Sequence, residues 1–154
     1  MFDFDGTLFQ TPGPADGRME YEKLTGKKWP HERGWLIWPE SLLPPFRIHP
    51  GPALQYFHTH CGQADALTVV ITGRIQKLED TVTKVLHNHN IFPDKCFFKD
   101  TPIQKESTSS YKVRIVQELL TQNPSIDCIK VFDDLDDVLL AFSDLAVSLS
   151  LIHI

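Results

Sequence analysis

From Pro52 onward, short apolar runs alternate with stretches of helical periodicity, and this alternation narrows the possible folds more than any other feature of the chain. Ala66–Ile71 is a compact apolar run rich in β-branched residues, which suits a buried strand. Ile75, Leu78, Val82, Val85 and Leu86 follow at helical spacing. Lys95–Phe98 reads as a brief strand. Val113, Val116, Leu119 and Leu120 mark a helix opened by Lys112 and stopped by Asn123-Pro124. Asp127–Phe132 reads as a strand, Leu135, Val138, Leu139 and Phe142 as a helix, and Leu145 to Leu151 as a last strand. At the front, Met1–Phe4 looks like a strand, and Pro52–Cys61 like a short helix with Leu54, Phe57 and Cys61 on one face. Strands alternating with helices predict an α/β architecture, a parallel sheet flanked by helices through right-handed crossovers.

The segment 10–52 does not share this rhythm. It is rich in Pro and Gly, weakly periodic, and holds Trp29, Trp35 and Trp38, which are all three tryptophans of the chain. It is expected to be a long flap without regular structure, inserted in a single domain spanning 1–154. Loops of this length are usually functional or disordered, and the tryptophans argue against disorder. They either stack nucleobases or pack the flap on the core.

Composition excludes several function classes. The 154 residues carry a formal net charge of −5, so the chain as a whole does not attract phosphate backbones, and a nucleic-acid substrate would need a local basic patch. Cys61, Cys96 and Cys128 are few, odd in number and widely spaced, so they imply no disulfide framework and fit a reducing cytoplasmic or nuclear setting. No apolar run reaches the length of a membrane span, and no signal peptide opens the chain. Because the chain begins inside a strand, it reads as a trimmed domain. His58, His60, His87 and His89 do not have zinc-site spacing, and residues two apart on a helix face away from each other.

In open α/β sheets, ligands bind at the carboxyl ends of strands. The predicted strand ends here carry Asp3-Phe4-Asp5-Gly6-Thr7, Thr72-Gly73-Arg74 and Asp133-Asp134, with Lys112 at a helix start nearby. Carboxylates, hydroxyls and a lysine thus converge on one edge. Asp3 and Asp5 can divide labour, one as nucleophile and the other as acid/base. Asp133 and Asp134 add hard oxygen ligands suited to magnesium. Gly6 allows a sharp turn beside a phosphate. Thr72 offers a hydroxyl and Lys112 a positive charge, the positioning and charge stabilisation that phosphoryl transfer requires. Lys99 and Lys105 compete with Lys112 for that role. Arg74 is open between a site role and a solvated place in a first helical turn. Asp136 and Asp137 read as acids that favour a helix N-terminus.

These residues resemble the haloacid dehalogenase (HAD) superfamily of phosphatases. Asp3-Phe4-Asp5-Gly6-Thr7 looks like its first motif, Ile71-Thr72-Gly73-Arg74 its second, Lys112 its third and Phe132-Asp133-Asp134 its fourth. A narrower resemblance rests on four stretches: Phe9-Gln10-Thr11-Pro12, Gly34 to Leu42, Thr108 to Lys112, and Val131 to Asp134. They are similar to the HAD domain of Swiss Army Knife RNA repair proteins, and relative to such a domain the chain reads as clipped at both ends.

The resemblance implies a Rossmann-like core without a large cap domain. It implies Asp3 as nucleophile and Asp5 as general acid/base. Thr72, Gly73 and Lys112 would bind phosphate, and Asp3, the Asp5 carbonyl, Asp133 and Asp134 would hold Mg2+. The expected activity is magnesium-dependent hydrolysis of phosphomonoesters through an aspartyl-phosphate, with RNA or nucleotide 3′ ends as the narrower substrate. The rivals are a catalytically silent HAD-like binding module and a phosphotransferase to an acceptor other than water.

Overall fold

The structure is a computed structural model and describes residues 1–100 and 106–148. The elements in chain order are β1 (Phe9–Gln10), α1 (Pro14–Thr25), β2 (His49–Pro50), α2 (Leu54–His60), β3 (Val69–Ile75), α3 (Glu79–Asn88), β4 (Lys95–Lys99), α4 (Thr108–Gln122) and α5 (Asp136–Ser148). Short 3-10 turns occupy Pro39–Leu42 and Gln76–Leu78.

β3 pairs with β4 in parallel, Val69 opposite Lys95 and Ile71 opposite Phe97, with an irregularity before Ile75. On the other side of β3 runs the extended start of the chain. Phe2 forms parallel bridges to both Val70 and Phe132. The Phe2 N–H donates to the Val69 carbonyl at 2.8 Å, and the Ile71 N–H to the Phe2 carbonyl at 3.0 Å. The Phe132 N–H donates to the Met1 carbonyl at 3.0 Å, and the Asp3 N–H to the Phe132 carbonyl at 2.9 Å. The lateral order is therefore β4, β3, the Phe2 segment and the Phe132 segment.

Side chains of β3 alternate between two apolar clusters, as the strand period requires. Val70 enters one cluster with Phe2, Phe57, Leu78, Val82 and Leu86. Val69 and Ile71 enter the other with Tyr111, Ile115, Val116, Leu119, Val138 and Phe142. Helices α2 and α3 thus cover one face, and α4 and α5 the other. Burial on both faces is why β3 reads as a continuous apolar run rather than an alternating one.

Four expectations need correction. First, the segment 10–52 is not without regular structure, since α1 fills twelve of its residues. Pro14 opens that helix and Gly26, at φ +67°, closes it, the Pro-first, Gly-last arrangement that suits helix ends. Its periodicity is weak because it packs on the insert rather than on the main core. Gly17 lies so close to Trp35 that a Cβ there would collide with the indole. Trp35 packs on Trp29 (4.4 Å between ring centroids) and on Phe46 (5.7 Å), and His31 stacks on Trp38 at 3.6 Å. Trp35 is 3% exposed, which leaves no face for a base.

Second, Asp127–Phe132 is not a continuous strand. Only Phe132 pairs in register, although the Met1 ammonium also donates to the Lys130 carbonyl at 2.7 Å. Likewise, only Phe2 of Met1–Phe4 forms ladder bridges to neighbouring segments. Third, Leu145–Ser148 belongs to α5, not to a last strand. The rest of that expected strand, and Lys105, lie outside the described residues. Fourth, β3 runs on through Thr72, Gly73 and Arg74 to Ile75, so those three residues sit within the strand rather than beyond it.

Candidate active site

The backbone ladder brings Asp3 and Asp133 to one edge, because each follows a residue of the Phe2–Phe132 bridge. Lys112 reaches them from α4. It stands in the second turn of that helix rather than at its opening, on the face that also buries Tyr111, Ile115 and Val116. Its Nζ donates to Asp3 Oδ1 at 2.6 Å and to Asp133 Oδ2 at 2.6 Å. Lys112 is 1% exposed, so the burial of its charge depends on these two carboxylates. The other oxygen of Asp133, Oδ1, accepts the Leu135 N–H at 3.1 Å, which fixes the carboxylate at the start of α5.

Asp134 completes an acidic group. Asp3, Asp133 and Asp134 can each present an oxygen within 4.8 Å of the others. Gly6, at φ +72°, makes room for it, because a Cβ there would collide with the Asp134 carboxylate. Burial pushes the Asp3 carboxyl up to about 7, against the opposing pull of Lys112, and the Asp133 and Asp5 charges push the same way as burial. Burial also raises Asp134. Lys112 is raised despite burial, because Asp3 and Asp133 stabilise its charge. One ammonium among several carboxylates leaves surplus negative charge at the edge. A hard divalent cation held by oxygen ligands fits such a group.

Asp5 has different partners. Arg74 grips it with two arms, Nε at 3.0 Å from Oδ2 and Nη2 at 2.7 Å from Oδ1. Thr11 donates its hydroxyl to Oδ1 at 2.6 Å. The remaining arm of Arg74, Nη1, donates to Ser41 Oγ at 2.8 Å, and Ser41 donates to the Trp38 carbonyl at 2.8 Å. Arg74 is fully buried. It is thus a buried strand residue joined to Asp5, not a solvated residue at a helix start. The sequence signal was present in its place directly after Thr72-Gly73, but that dipeptide does not reveal whether the strand continues.

Thr72 is also fully buried, and its Oγ1 accepts the Arg74 N–H at 3.2 Å. Gly73 faces Thr108 at the start of α4, where an added Cβ would lie 3.5 Å from Thr108 Cγ2. Lys99 points to that same helix start, its Nζ reaching the Glu106 carbonyl at 3.2 Å and Thr108 Oγ1 at 3.4 Å. Of Lys99 and Lys112, Lys112 is therefore the one joined to Asp3. Asp136 and Asp137 lie in the first turn of α5.

The model of HAD domain family 1 in Swiss Army Knife RNA repair proteins matches residues 53–151. This chain belongs to that family. The matched stretch of this HAD domain contains Thr72, Gly73, Arg74, Lys112, Asp133 and Asp134, while Asp3, Asp5 and the 10–52 insert precede it. Over 98% of its length the chain is also 27% identical to an uncharacterized protein of Saccharomyces cerevisiae. It spans 37% of that relative's length. No solved structure matches the chain. Membership in the HAD family suggests a phosphatase-type enzyme with a phosphorylated substrate, and its description connects the domain with RNA repair. Among the described residues, no helix is long and apolar enough to cross a membrane.

Proposed function

We propose that this HAD domain is a phosphomonoester hydrolase that works through an aspartyl-phosphate on phosphorylated RNA ends. The observation that carries the reading is the meeting of Asp3 and Asp133 on the buried Lys112, with Asp134 completing their acidic group and the Asp5 charge acting on Asp3. The proposed framework is a Rossmann-like parallel core of β4, β3, the Phe2 segment and the Phe132 segment, without a large cap. The insert 10–52 acts as a flap beside the site.

In the first step an Asp3 oxygen attacks phosphorus, and the bond from phosphorus to the leaving oxygen breaks. Asp5 gives its proton to that oxygen, so the product leaves as an alcohol. In the second step Asp5, now ionised, takes a proton from water. The water oxygen attacks phosphorus, the acyl-phosphate bond breaks, and inorganic phosphate departs with Asp3 restored. Lys112, the Thr72 hydroxyl and the Gly73 backbone stabilise the phosphoryl oxygens. Asp3, the Asp5 carbonyl, Asp133 and Asp134 would hold Mg2+, which supplies charge neutralisation at the phosphoryl group.

The RNA reading is supported by the family's description. It is tested by comparing kcat/KM for a 3′-phosphorylated RNA oligonucleotide with that for a small sugar phosphate. The reading expects the oligonucleotide to be favoured by about tenfold or more, a difference of about 1.4 kcal/mol in the barrier. Equal or reversed preference ends the RNA reading. No turnover of either by the folded protein leaves a catalytically silent binding module.

A further inference from the structure

We infer that Arg74 is the positioning residue for Asp5 and couples that carboxylate to the 10–52 insert. The inference rests on the acid/base role proposed above for Asp5. Every polar arm of the Arg74 guanidinium is engaged: Nε and Nη2 on Asp5, and Nη1 on Ser41. A planar fork that grips both carboxylate oxygens fixes the plane of the carboxylate as well as its position. The Phe4 ring lies against the guanidinium at 5.8 Å, and the Arg74 side chain is 0% exposed, so the fork has little freedom to move.

The insert holds the same carboxylate twice. Thr11 donates to Asp5 directly, and Ser41 holds the far side of Arg74 while anchored to the Trp38 carbonyl. Acid/base work needs the carboxyl within hydrogen-bond reach of the oxygen it protonates. Arg74 thus acts through Asp5 and not on the phosphate, and the insert serves as the brace for the acid/base group.

The test is a double-mutant cycle on the whole chain, with an alkyl phosphate and an activated aryl phosphate as substrates. The aryl leaving group departs without a proton, whereas the alkyl oxygen needs one. Arg74→Met is expected to lower kcat for the alkyl ester by about ten- to a hundredfold, with a smaller loss for the aryl ester. KM should stay within about threefold. Placed in an Asp5→Asn background, Arg74→Met should cost less than about threefold more, since residues acting as one unit are not additive. Arg74→Lys keeps the charge and loses the fork. It should show the same pattern, and it carries the test where the Met variant does not fold. Ser41→Ala should show a weaker loss with the same preference for the alkyl ester.

An Arg74 loss that persists undiminished beside Asp5→Asn, or that appears as raised KM for both esters, overturns the assignment. It would instead mark Arg74 as a group that touches the phosphate. An Asp5→Asn variant with wild-type rates fails differently: it removes the acid/base reading itself, and the role of Arg74 with it.

Discussion

Lys112 and Asp3 are 109 positions apart in the chain and meet at 2.6 Å, where Lys112 also holds Asp133 at 2.6 Å. Removing the ammonium would strand two buried carboxylates. Lys112→Met is therefore expected to destabilise the metal-free protein by roughly 3–5 kcal/mol. Magnesium should recover part of that loss, because a divalent cation among the same oxygens replaces the missing charge. Thermal melts with and without magnesium check both statements. A variant as stable as the parent in metal-free buffer would contradict the ion triad.

The raised Asp3 carboxyl has a sign opposite to that of most acids. Its folded value of about 7 lies above the ordinary 3.8, so between these limits the folded protein keeps a proton that the unfolded chain has lost. The Asp3 contribution to stability is present below about pH 4, falls as pH rises through this window, and levels off above about 7. Melting curves of the metal-free protein from pH 4 to 8 should show the parent losing ground to Asp3→Asn across that range. A constant gap would show that Asp3 is not held in the buried state described.

Gly6→Ala tests the close approach of the first loop to Asp134. The backbone there is left-handed, at φ +72°, and a Cβ would meet the Asp134 carboxylate. A loss of about 1–3 kcal/mol is expected. A higher magnesium concentration for half-maximal activity should accompany it. Unchanged magnesium dependence would separate Asp134 from the metal.

How far the site could be read from sequence depends on what each residue needs. Asp3 and Asp133 were legible because each ends an apolar segment, and sheet topology carries such residues to one edge. Lys112 was legible as a cation near that edge, but not as a residue of the second helical turn, since helix starts are set by caps such as Ser107. Arg74 was legible only as an open alternative, because its burial depends on partners at Asp5 and Ser41, far away in sequence. Helix α1 escaped because its contacts are with Trp35 rather than with the main core, although Pro14 and Gly26 mark its ends. The Asp127–Phe132 run looked like a strand, yet strand pairing belongs to two segments, and in register only Phe2 bridges Phe132.

Asp136 and Asp137 provide the internal control. Both are exposed acids in the first turn of α5, beside the site but outside the acidic group. Replacing either with Asn should lower stability by about 0.3–1 kcal/mol through the helix dipole. Phosphatase rates measured alongside should stay unchanged. A large loss of rate would extend the site into α5.

The role of Asp3 as nucleophile is tested by phosphate release from a generic aryl phosphate in the presence of magnesium, with the parent domain beside Asp3→Asn. Turnover is expected from the parent, with its loss on chelation, and none from a folded Asp3→Asn variant. Retained turnover in that variant would contradict Asp3 as the nucleophile.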